Sequence, residues 1–287
     1  MHRQAILLAC SLSAALLSAC REQPQASAPT EVVVHPRAAL PADPADPAWQ
    51  GAPAFEAPLL LQDMVEPRQL EASTSSLRVL ALSDGSRIAF RLEWDDATRD
   101  DELRPGGFSD ACAVQLPAQV AVDVPAPQMG EGGKPVEITF WRASWQATVD
   151  GRSDALQELY PGAAIDHYPF EAAPLEASAD RQREMVALYA PARALGNSMA
   201  GARENAVQEL VATGPGTLSE GASRRADGRG VRTSSGWAVV ISRELPPGLT
   251  PGAAAQVAFA VWEGSHQEVG ARKMRTAWVP LSLEVAP

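Results

Sequence analysis

Arg87-Ile88-Ala89-Phe90-Arg91-Leu92-Glu93-Trp94 is the stretch that decides the fold. Ile88, Phe90, Leu92 and Trp94 alternate with Arg87, Ala89, Arg91 and Glu93, a period of two that puts the large apolar side chains on one face of a strand. Residues 77–82 precede it as a second apolar run, and Ser83-Asp84-Gly85 between them is turn chemistry, so the pair reads as a hairpin. Further short runs bounded by Gly or Pro read as strands at 113–116, 136–142, 144–149, 236–243, 256–262 and 278–285. Helical spacing is confined to the middle, at Met185, Leu188 and Tyr189 and again at Val207, Leu210 and Val211. Many strands without βαβ alternation predict a mainly β protein, an antiparallel β-sandwich with a few inserted helices.

The start of the chain breaks this pattern. Met1-His2-Arg3, an apolar run over 5–17 and then Leu17-Ser18-Ala19-Cys20 form an export signal. The run is too short to span a bilayer, which takes about 20 apolar residues. Leu-Ser-Ala-Cys resembles the lipobox of bacterial lipoproteins. That resemblance implies a lipoprotein signal peptide over 1–19, lipidation of Cys20, and a periplasmic protein anchored to a bacterial membrane. Of Cys10, Cys20 and Cys112, only Cys112 then remains as a thiol, so the fold has no intrachain disulfide to rely on. Residues 20–48 are rich in Pro and Ala, and the small patch Val32-Val33-Val34 buries too little to order itself. This predicts a linker over 20–48 and a folded domain over 49–287, starting near Trp49.

Composition excludes several functions. The chain has 24 Lys+Arg against 35 Asp+Glu, a net charge of −11, which repels a polyanion and argues against a nucleic-acid partner. Hydrophobic residues at 46% are enough for a core. There is no Gly-x-Ser-x-Gly elbow, no His-Glu-x-x-His and no phosphate-cradling glycine loop, so hydrolysis has little support. No Cys-x-x-Cys-His is present, which rules out covalent c-type haem attachment. The histidines are His2, His35, His167 and His266, and a metal cage built on the last two alone would be incomplete.

An ordered set of motifs then points to a family. Asp110-Ala111-Cys112-Ala113-Val114-Gln115-Leu116-Pro117 is followed by Met129-Gly130, Pro135-Val136 and Trp141-Arg142-Ala143. Phe259-Ala260-Val261-Trp262-Glu263-Gly264, Lys273 and Trp278-Val279-Pro280-Leu281 complete it. The set resembles the haem-b gamma subunit of the ethylbenzene dehydrogenase and dimethylsulfide dehydrogenase type, which serves periplasmic molybdoenzymes of the dimethyl sulfoxide reductase family. The resemblance implies one non-covalent haem b in a β-sandwich, with iron ligated by Met129 and Lys273. It also implies a non-catalytic electron-transfer role, with molybdoenzyme catalytic and iron–sulfur subunits and a periplasmic cytochrome as partners.

The ligand chemistry is consistent with that role. A thioether favours reduced iron. Lysine binds metal only as the neutral amine, so it must be desolvated to shed its proton, whereas arginine stays charged and has no lone pair to offer. Only two lysines occur, Lys134 and Lys273. His266 is the leading substitute ligand, although Gly264-Ser265 beside it suggests a surface turn. The competing class is a sandwich lipoprotein that binds or senses a ligand other than haem.

Overall fold

A computed structural model of the chain describes residues 29–102, 106–152, 160–163, 177–189, 191–195, 197 and 203–285. Among them the strands are β1 (Val32–Pro36), β2 (Phe55–Pro58), β3 (Leu60–Leu61), β4 (Ser76–Ser83), β5 (Arg87–Asp95), β6 (Ala111–Pro117) and β7 (Val136–Arg142). After the helices α1 (Ala143–Val149), α2 (Ala179–Tyr189) and α3 (Pro191–Ala194) come β8 (Val207–Ala212), β9 (Ser219–Glu220), β10 (Asp227–Arg232), β11 (Gly236–Glu244), β12 (Ala254–Trp262), β13 (Met274–Arg275) and β14 (Val279–Leu283). The β4–β5 hairpin stands where alternation predicts it. The Asp84 carboxylate accepts from the backbone N–H of Ser86 and Arg87 and so holds the turn.

The strands form a mainly β fold of two layers. One runs β10-β11-β5-β4-β1-β14-β12 and the other β12-β6-β7-β8-β9. Strand β12 belongs to both, because Ala254 to Val257 pair with β14 and Ala258 to Trp262 pair with β6. The inner faces meet in one core. Phe90 of the first layer packs edge-on against Phe259 of the second at 5.9 Å, and Trp141 of the second meets Trp94 at 6.4 Å and Trp237 at 5.3 Å. Gly230 in β10 permits this packing, since a Cβ there would lie 2.2 Å from the Trp141 ring. The layers are also tied by ions, with Glu137 of β7 accepting from Arg243 of β11 and from Arg224.

Four expectations are corrected. The Val32-Val33-Val34 patch does not belong to a linker. It forms β1, which lies between β4 and β14 with Val32 and Val34 fully inside the core. Its composition window is polar, but both of its ladder edges are satisfied by strands far along the chain, and Val32 and Val34 exploit the period-two alternation. The following residues are ordered as well, with Trp49 and Leu40 covering Leu80, Leu82 and Val240 on the outer face of the first layer. β1 is also parallel to both neighbours, so the sandwich is mixed rather than wholly antiparallel.

Residues 144–149 are helix α1, not a strand. Their polar–apolar alternation is real, yet the helical turn lets the Gln146 carbonyl oxygen accept from both Trp141 Nε1 and Gly230 N, two buried donors. Val207, Leu210 and Val211 lie on strand β8, not on a helix. Six residues with two valines carry too little of a helical stripe to resist pairing along the whole of β7.

Candidate functional site

Period two gives the second layer two unlike faces. Cys112, Val114 and Leu116 of β6 and Phe259 and Val261 of β12 point into the sandwich core. Their neighbours Ala111, Ala113 and Ala260 point the other way, together with Val136, Ile138 and Phe140 of β7, Leu210 and Ala212 of β8, and Trp262. Register sets Ala260 beside Ala113 and Ala113 beside Phe140, with Trp262 beside Ala111 in the next row. Because only methyl groups lie beneath them, Phe140 and Trp262 meet edge to face at 5.1 Å across the intervening strand. The outer face is thus an alanine floor with aromatic walls, and among its neighbours is Trp278.

Met129 reaches this face from the loop joining β6 to β7. Alternate carbonyls of the loop are pinned. Trp278 Nε1 donates to Pro125 O at 2.7 Å, Gln115 Nε2 to Pro127 O at 3.0 Å, and Gly214 N to Met129 O at 2.8 Å. Met129 itself has φ of 64°, a left-handed conformation that is costly for a residue with a Cβ and persists only where surroundings impose it. Gly130 continues the left-handed turn at φ 79°, and a Cβ there would come within 2.9 Å of Lys134 O and 3.0 Å of Ala212 O. The loop is therefore pressed flat on the β7–β8 end of the face, with the Met129 side chain packed on it.

Lys273 reaches the same face from the other side. Met274, the next residue, is fully buried in the core and pairs with Val261, so alternation turns Lys273 and Arg275 outward, away from the core. The Lys273 Nζ lies 4.8 Å from the centroid of the Trp262 ring. The residue as a whole is half-buried, but its amine is the desolvated part, the reverse of a snorkelling surface lysine. Burial, and after it the charge of Arg275, pushes the amine down to about 8. Lys134 has the opposite environment. It pairs with Asp123 at 2.6 Å and Glu131 at 3.1 Å, and these hydrogen bonds raise its pKa. Of the two lysines, only Lys273 is placed to offer a lone pair.

Comparison with known proteins assigns the chain. The ethylbenzene dehydrogenase family model matches residues 46–274, which is most of the chain and includes Met129 and Lys273. The chain belongs to the ethylbenzene dehydrogenase family. Within that relationship it is 27% identical over 245 residues to a protein of Haloferax mediterranei named as a respiratory nitrate reductase heme subunit, ORF7. That match covers 83% of this chain and 67% of the relative. It is 24% identical over 238 residues to the chlorate reductase subunit gamma of Ideonella dechloratans, covering 79% of this chain and 73% of the relative. Among solved structures, a family 9 carbohydrate binding module from Caldicellulosiruptor kristjanssonii in complex with cellotriose matches with a TM-score of 0.43 at 9% identity. It covers 89% of this chain and 94% of that one, a distant likeness.

Met129 and Lys273, far apart in sequence, share the outer face of the second layer. His266, the substitute ligand, sits on an exposed 3-10 turn 3.7 Å from the Glu263 carboxylate. Cys20 and His167 lie outside the described residues. Two cavities of about 300 and 420 Å³ are lined by other residues, the first by Asp101 and Gly264 among others and the second by Pro36 and Leu283 among others. Among the described residues no helix is long and apolar enough to cross a membrane, and no three His, Cys, Asp or Glu groups are placed to hold a metal ion.

Sequence reasoning missed the alanine floor and two arginines. Arg142, opposite Ala111, is desolvated, and burial lowers its pKa. Arg275, opposite Ala260, has a buried Nε with no acceptor. The floor had a readable signal, the alternation of small and large residues in Asp110–Pro117 and in 258–262. An apolar floor, a packed thioether and a desolvated amine fit a flat, apolar macrocycle with an iron at its centre.

Proposed function

We propose that this chain is a non-catalytic electron-transfer subunit that holds one non-covalent haem b against the outer face of the second layer. Met129 and Lys273 would hold its iron. The observation that carries the reading is the Lys273 amine, desolvated and without a carboxylate partner among the described residues, on the face where Met129 is held in a left-handed turn. The haem would supply reversible one-electron exchange at iron.

The protein's own residues do the rest. The pinned carbonyls of Pro125, Pro127 and Met129 hold the thioether against the face, and burial together with the charge of Arg275 lowers the cost of deprotonating the Lys273 amine so that it could bind. With Met129 and Lys273 both holding it, the group would supply electron exchange rather than a site for substrate, which suits a relay. The relatives' names, a reductase heme subunit and a reductase gamma subunit, support a subunit role in a reductase complex, and in this reading the chain passes electrons between the iron–sulfur subunit of a molybdoenzyme and a periplasmic cytochrome. Lipidation of Cys20 would tether it on the periplasmic side of a bacterial membrane.

Protein purified after export from haem-replete cells is expected to show a reduced-minus-oxidised haem-b spectrum, with the pigment extracted by acidified organic solvent. A colourless protein that takes up no haem in titration would overturn the reading and favour a pocket for another small ligand.

A further inference from the structure

We infer that Arg275 binds the carboxylate edge of the macrocycle, so that one short strand supplies both the amine for the metal and the guanidinium for the acid groups. The inference rests on the haem reading and extends it to a residue that the motifs do not include.

Arg275 is two residues from Lys273, and the core-facing Met274 between them turns both away from the core. Its side chain is only 16% exposed. The Nε is buried with no acceptor at all. Nη1 makes one long bond, 3.4 Å to the carbonyl of Thr276, and Nη2 stands 3.9 Å from an Asp63 carboxylate that is itself 62% exposed to water. A guanidinium carries five N–H donors in a rigid fork, and this one is largely unsatisfied. Buried donors in folded proteins nearly always have partners, so an orphan of this kind calls for one.

Charge leads to the same conclusion. Arg275 keeps its charge on a side chain that water barely reaches, a position that calls for an anion beside it. Haem b is apolar over its body and carries two carboxylates at one edge. A carboxylate there would accept from the Arg275 fork while the metal takes the Lys273 amine. The choice of residue fits each task, since arginine matches a carboxylate bidentately and never gives up its charge, whereas lysine can lose its proton to a metal.

The test is titration of the haem-free full-length protein with iron protoporphyrin IX and, separately, with its dimethyl ester, in wild type, Arg275→Gln and Arg142→Gln. Arg275→Gln is expected to weaken binding of the free acid about 10- to 100-fold, the range of a charge-assisted hydrogen bond. It should leave ester binding unchanged, and the bound free acid should keep the wild-type low-spin spectrum. Equal weakening for acid and ester, no weakening, or selective loss in Arg142→Gln instead would overturn the assignment. Arg275→Lys should retain discrimination between acid and ester, which keeps the idea testable should the Gln variant not fold; a Lys variant that no longer discriminates counts against it. A wild type that takes up neither porphyrin removes the haem reading, and this assignment with it.

Discussion

The two faces of the second layer are built by the same strands and do different work. On the inner face Val114, Trp141, Phe259 and Val261 fill the space between the layers. On the outer face the same strands show Ala111, Ala113 and Ala260, small side chains flanked by Val136, Ile138 and Leu210 and by the rings of Phe140, Trp262 and Trp278. The inner face is where the fold is made stable. The outer face is where the strands carry their smallest side chains, and it collects a left-handed methionine and desolvated cations that a purely structural surface would have no reason to keep.

That division can be broken experimentally. Trp141→Ala on the inner face should cost about 3–5 kcal/mol in denaturant unfolding, because a fully buried ring touching two others leaves a cavity. Ala113→Leu on the outer face should cost no more than about 1–3 kcal/mol of overpacking while cutting haem uptake at least about tenfold. If haem binding survives that variant intact, the outer face is not the site. Met129→Ala and Lys273→Ala should each turn a low-spin spectrum high-spin or make the iron exchange added ligands; an unchanged spectrum in either removes that residue from the axial position.

A smaller effect concerns pH. The folded Lys273 has its pKa lowered from 10.5 to about 8, so the folded state binds this proton less tightly than the unfolded chain does. The penalty is fully present below about 8 and disappears as pH rises from there toward 10.5, so haem-free protein should gain stability across that window. Lys273→Met should flatten that part of the profile in a denaturation series, and a profile identical to wild type would show that the amine is hydrated. Smallest in its effect on the folded domain, Cys20→Ala should move the protein from the membrane fraction to the soluble periplasmic fraction without changing the spectrum.

How much of this was legible beforehand follows from the length and locality of each signal. The β4–β5 hairpin is written in a clean alternation of eight residues with its turn beside it. Strand β1 is five residues in a Pro- and Ala-rich setting, and its partners in β4 and β14 lie far away in sequence, so no local window contains the reason it is ordered. Residues 144–149 mislead because their alternation is real while two buried donors outside the segment select the helix. Met129 and Lys273 could be named only through motif order; nothing near Lys273 in sequence announces that its amine is buried. The alanine floor was there to be read as a size alternation. Arg275 was not, since it is one arginine among many until its missing acceptor is seen in three dimensions.

The placement of β1 also constrains how the protein comes into being. Its parallel pairing with β14 joins segments at the two ends of the described chain, and the contact between His35 and Glu284 spans 249 residues. Until the downstream partner is made, the middle of the first layer cannot close, and β1 has only β4 beside it. The sheet therefore closes only once segments from both ends of the described chain are present together, which makes its completion a late event of folding.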